Sequence, residues 1–143
     1  MDAIDQIITT LDHIESVENE DDLGRLDQAL QALGQISNSE RGMDALFRIY
    51  ERFPESDGYG IFWNILHTLE DMPAYEQRLI ESVQRQPMEF NLKMVNGLLN
   101  AGVTHQENVD LLALLESIAA SPRYSDSARQ HARRFVEWQR DCT

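Results

Sequence analysis

The sequence predicts an all-α domain of about eight helices, stacked as antiparallel pairs into an α-solenoid. Three observations predict it. Apolar residues recur at helical spacing through nearly the whole chain, nowhere do β-branched residues alternate with polar ones across a hairpin turn, and glycines and prolines fall between the periodic stretches. Pairs of helices start near residues 2, 39, 73 and 104, so the spacings are about 37, 34 and 31 residues, the range of helix-pair repeats. Identity between the pairs is poor, and an irregular helical bundle is the alternative. In a solenoid, helices four, six and eight share a face.

The elements follow in order. Ile4, Ile7, Ile8, Leu11, Ile14 and Val17 mark the first helix, within residues 2–17. After an acidic turn over residues 18–22, the second runs from Leu23 to about Gln35 with Leu23, Leu26, Leu30 and Leu33 on one side. Ser37 and Glu40 have capping-box spacing ahead of the third, which carries Met43, Leu46, Phe47, Ile49, Tyr50 and Phe53 and stops at Pro54. Asp57 caps the fourth. Pro73 opens the fifth, with Tyr75, Leu79, Ile80 and Val83 inward, and Pro87 opens the sixth, which carries Phe90, Met94, Val95, Leu98 and Leu99 and ends at Gly102. Thr104 and Glu107 form a second capping box, for a seventh helix that is apolar nearly all round and therefore central. Ser125 or Asp126 caps the eighth, whose inward residues are Ala128, Ala132, Phe135, Val136 and Trp138.

A chain of 143 residues with 42% hydrophobic content suits one domain over residues 1–143. No run of about 18 apolar residues is present to span a bilayer, and the acidic N-terminus lacks the basic residues of a signal peptide, so a cytoplasmic location is expected. The single cysteine, Cys142, permits no intrachain disulfide and no thiolate cluster. The net charge is −13, and only one of twelve basic residues, Lys93, is a lysine. Residues 1–24 hold eight acids and no Lys or Arg, whereas residues 123–143 hold five Arg against three acids. Such a balance speaks against direct nucleic-acid binding and for fast encounter with a basic protein, although a plainly solvated acidic surface accounts for it too.

Motifs for chemistry are missing. The histidines His13, His67, His105 and His131 stand in no HExxH or Glu-x-x-His arrangement, no phosphate-binding glycine loop or GxSxG turn occurs, and no metal or cofactor is expected. His67 and Glu70 could form an acid/base couple, but a surface histidine beside a carboxylate is the ordinary reading. No catalytic residue and no enzymatic activity are expected.

Residues 57–71, DGYGIFWNILHTLED, stand out. At 100° per residue Ile61, Phe62, Ile65, Leu66 and Leu69 fall within about 140° of arc, an ordinary buried face. Tyr59, Trp63, His67 and Glu70 lie on the other flank, bounded by the acids Asp57 and Asp71. Either a neighbouring helix covers that flank or it is a partner-binding stripe, for which Tyr and Trp are favoured residues. The sixth helix adds a polar stripe of Glu89, Lys93, Asn96 and Asn100. Side by side, the two stripes make one patch of aromatic, amide and acid groups; alternatively, Asn96 and Asn100 cap or bridge to the next loop.

The runs ALFRIYERFPESDGYGIFWNILHTLE and YEQRLIESVQRQPMEFNLKMVNGLLNAG, within about residues 44–121, resemble helical immunity proteins encoded beside bacterial polymorphic and contact-dependent toxins. The resemblance implies a HEAT-like fold and an inhibitor that binds a cognate toxin domain, often a nuclease. A basic nuclease and an acidic inhibitor are complementary in charge. The expectation is thus a cytoplasmic immunity protein, monomeric by preference, whose partner-binding residues are Asp57, Tyr59, Trp63, His67, Glu70, Asp71, Glu89, Asn96 and Asn100. The alternatives are a general α-solenoid adaptor and, disfavoured by charge, a HEAT-like enzyme acting on nucleic acid.

Overall fold

The computed structural model describes residues 2–56 and 58–141, and the expected roles of Asp57 and Cys142 lie outside the described residues. The described chain is all-α with one minimal hairpin. Its helices are α1 (Ala3–Asp12), α2 (Glu20–Leu33), α3 (Met43–Arg52), α4 (Ile61–Glu70), α5 (Tyr75–Arg85), α6 (Glu89–Asn100), α7 (Leu111–Ala120) and α8 (Asp126–Asp141). Strands β1 (His105–Gln106) and β2 (Val109–Asp110) pair antiparallel between α6 and α7.

Helix packing is regular in one respect. α1 packs on α3 and α3 on α5, while α2 packs on α4, α4 on α6 and α6 on α8; α1 also packs on α2, α3 on α4, α5 on α6 and α7 on α8. Helices α4, α6 and α8 therefore lie side by side. One continuous core fills the space between the layers, with Phe47, Tyr50, Phe62 and Phe90 its largest fully buried side chains. Ion pairs tie successive odd helices at their edges. Arg48 grips Asp12 with two bonds of 3.0 Å, and Arg85 donates to Glu51 at 2.9 and 3.0 Å. Arg52 donates to the carbonyls of Leu11, in the last turn of α1, and of Ile14, just beyond it.

Most helix starts differ from expectation, and at α2, α6 and α7 a different side chain supplies the cap. Helix α2 begins at Glu20 rather than Leu23, since the Asn19 side chain accepts from the N–H of Asp22 at 2.8 Å. The buried Asp22 carboxylate then accepts from the N–H groups of Glu15 and Ser16 and pairs with Arg25, so an expected turn acid organises the α1–α2 connection. Ile14 and Val17 are buried in that connection beyond the end of α1. The Ser37–Glu40 box is not formed; a 3₁₀ turn, Ser39–Gly42, leads into α3. Pro73 and Pro87 lie ahead of their helices, because Ala74 (φ 56°) and Met88 are the residues that flank α5 and α6. The Met88 sulfur accepts from the N–H groups of Phe90 and Asn91, while Asn91 Oδ1 accepts from the N–H of Met88 at 2.8 Å. Gly102 (φ 88°) stops α6 as expected: it donates to the carbonyl of Leu99 and Val103 to that of Leu98.

The Thr104–Glu107 box gives way to the hairpin. Glu107 adopts φ 54° at its tip, and Asp110 caps α7 by accepting from Ala113 N–H at 3.0 Å. Nor is α7 central. It packs mainly on α8, buries only Leu111, Leu115 and Ile118, and leaves Leu112 and Leu114 half-buried. Ser125 caps α8.

Candidate protein-binding surface

Helix α4 is built outward from its core face. Ile61, Phe62, Ile65, Leu66 and Leu69 are all buried, as the spacing requires. The turn before it is left-handed over three consecutive residues, Gly58, Tyr59 and Gly60, with φ of 60°, 53° and 92°. Only glycine fits at Gly58, where an added Cβ would lie 2.7 Å from Ile61 Cγ2. Tyr59 has no such freedom, yet its ring is 76% exposed.

The opposite flank is open. Trp63 is 44% exposed, covered in part by Phe90 and Lys93 of α6, while His67, Glu70 and Asp71 are exposed. Trp63 and His67 stack at 6.3 Å, and His67 Nδ1 lies 3.9 Å from Glu70 Oε1. Behind the indole sits an aromatic cluster: Trp63 meets Phe90 edge-on, and Phe90 packs in turn against Phe62 and Tyr50. An indole with one edge on a buried ring loses little freedom on binding, which suits an anchor.

Helix α6 lies alongside with its stripe in register, Phe90 and Lys93 beside Trp63 and Gly97 beside Glu70, whose Oε2 is 3.9 Å from where a Gly97 Cβ would stand. Glu70 also raises the hydroxyl pKa of two tyrosines: after burial it is the next cause for Tyr50, and for Tyr75 it follows burial and precedes Glu76. Glu89 is half-buried and reaches Lys93. The two asparagines bridge to a helix rather than to a loop. Buried Asn96 accepts from Gln139 Nε2 at 2.7 Å, and exposed Asn100 accepts from Gln139 Nε2 at 2.8 Å and from Trp138 Nε1 at 3.4 Å. Asn96 is thereby committed inside the α6–α8 contact.

Two side chains join the surface that sequence reasoning placed elsewhere or passed over. Trp138, expected inward, is 55% exposed beside Asn100, and Gln139 ties α8 to α6. Spacing held the signal for Trp138: it lies about 120° from the middle of the buried Ala128, Ala132, Val136 stripe. The aromatic groups Tyr59, Trp63 and Trp138, the large exposed hydrophobics of the described residues, thus belong to α8 or to α4 and its leading turn, with α6 between.

Family models, curated proteins and solved structures were compared with the chain, and none matches. Among the described residues, no three His, Cys, Asp or Glu side chains are grouped to hold a metal ion, and no helix is long and apolar enough to cross a membrane.

Proposed function

We propose that this chain is a cytoplasmic immunity protein that binds one cognate toxin domain, a basic nuclease, and neutralises it by protein–protein contact without chemistry of its own. The observation that carries the reading is Trp63: a half-exposed indole braced on a buried ring, flanked by His67 and Glu70, in a chain of net charge −13. Aromatic anchors supply desolvated contact area, while surrounding acids steer a basic partner and set its orientation. The paired order of the helices supports a HEAT-like solenoid as the scaffold, with α4, α6 and α8 forming its binding layer. Tyr59, Trp63, His67, Glu70, Asp71, Glu89 and Asn100 make the contact, and Trp138 joins them.

Co-expression tests this directly. A toxin domain encoded beside this gene should arrest growth alone and be tolerated with the wild-type chain, while Trp63→Ala and Glu70→Lys should lose the rescue yet keep full helical content. A neighbouring product that is harmless by itself but still binds this chain would favour the adaptor reading instead.

A further inference from the structure

Three groups converge where α4 meets α6. The rings of Trp63 and Phe90 stand 83° apart with centroids separated by 5.4 Å, and so form two walls of a corner. The ammonium of Lys93 sits in that corner, 4.2 Å from the Trp63 ring centre and 4.7 Å from that of Phe90. Glu89 Oε2 closes the third side at 3.4 Å from Lys93 Nζ. Two π faces and a carboxylate are the groups that recognise an ammonium or guanidinium ion. The occupant is the one lysine of the chain. Its side chain is 25% exposed, on a flexible four-carbon stem, and Glu89, with which it forms its ion pair, lies one turn back on the same helix. The ammonium is held by two cation–π contacts and by one ion pair within its own helix. The side wall made by Trp63 belongs to the open surface, so a partner that covers the indole also reaches the corner.

We infer that this corner is a cation-recognition subsite, which holds Lys93 in the free protein and takes an arginine or lysine side chain of the basic partner in the complex, Lys93 swinging out to solvent. The inference rests on the reading of the partner as a basic protein. Lys93 is then a specificity-determining residue: it competes with the incoming cation, and only a partner that brings a cation to this position restores positive charge against the two rings and Glu89.

A nine-residue all-arginine peptide carrying a fluorescent label serves as probe, read by anisotropy. Lys93→Ala opens the corner, and Arg134→Ala, at an exposed position on α8, removes the same charge elsewhere. The expected result is that Lys93→Ala binds the peptide about fivefold more tightly than Arg134→Ala. Lys93→Gln, which keeps the stem, should move in the same direction by less, and adding Trp63→Leu should abolish the gain. Equal affinities for Lys93→Ala and Arg134→Ala would overturn the subsite and leave the acidic docking surface standing. No peptide binding by any variant at physiological salt would overturn both.

Discussion

The hydroxyl of Tyr50 donates a 2.7 Å hydrogen bond to the carbonyl of Phe62, joining α3 to α4 inside the aromatic cluster that supports Trp63. Burial holds that hydroxyl well above the ordinary tyrosine range, and the Glu70 charge adds to the effect. The unfolded chain therefore releases its proton first as pH rises past about 10. The stabilising contribution is complete below that pH and is lost as pH climbs toward the folded-state value, at up to ~1.4 kcal/mol per pH unit. Urea midpoints between about pH 8 and about pH 11 should fall less steeply in Tyr50→Phe than in wild type, with a cost of ~1 kcal/mol at neutral pH. Parallel slopes in the two proteins would remove the tyrosine from the explanation.

Trp63 and Phe90 touch, yet truncating them should give opposite outcomes. Phe90 is 2% exposed among large core side chains, so Phe90→Ala should lower stability by ~3–5 kcal/mol. Trp63→Ala removes a half-exposed ring and should lower it by only ~1 kcal/mol, with an unchanged circular dichroism spectrum. A collapse of folding in Trp63→Ala would make that ring core and strip the candidate surface of its anchor.

The left-handed turn before α4 separates stability from recognition. Gly58→Ala meets both a positive φ and a Cβ approach of 2.7 Å, and should destabilise by ~2 kcal/mol or more. Tyr59→Gly should instead raise the melting temperature, by the equivalent of ~0.5–1 kcal/mol, because φ 53° is strained for a side chain with a Cβ. The same variant should bind the partner less well. If melting falls in Tyr59→Gly, the packing of the ring outweighs its backbone strain.

Asn91 is fully buried and closes a polar path between α3, α5 and α6. Its amide donates to Ser82 Oγ at 3.2 Å and to the carbonyl of Gln86 at 3.0 Å, and Ser82 donates to Glu51 at 2.8 Å. Asn91→Ala leaves Met88 N–H and the Gln86 carbonyl without this partner, and should cost ~2–4 kcal/mol in denaturant titration. Ser82→Ala, which spares those groups, should cost less; equal costs would place the burden on Glu51 rather than on Asn91.

Helix faces were legible in the sequence where one helix decides them. The inward set of α4, the Gly102 stop and the Ser125 cap follow from spacing and from groups within a few residues. Helix starts were less legible, because several side chains compete for the same orphan N–H groups and tertiary packing selects among them: Asn19 and Asp110 win over the acidic turn and the Thr104–Glu107 box. The hairpin between α6 and α7 is too short for any alternating pattern. Asn96 and Asn100 were expected in one partner-binding polar stripe, yet Asn96 is buried; their shared partner Gln139 is 43 and 39 positions away, beyond the reach of local spacing. The exposed flank of α4 was visible as a pattern; whether another helix covered it depended on where α6 and α8 settle.

The solitary lysine leaves a practical signature. Apart from the α-amino group, the only primary amine of the chain lies against Trp63. Acylation of Lys93 by a dye or a coupling surface modifies the very patch assigned to the partner, and a sensor attached through that side chain would report silence from a competent molecule.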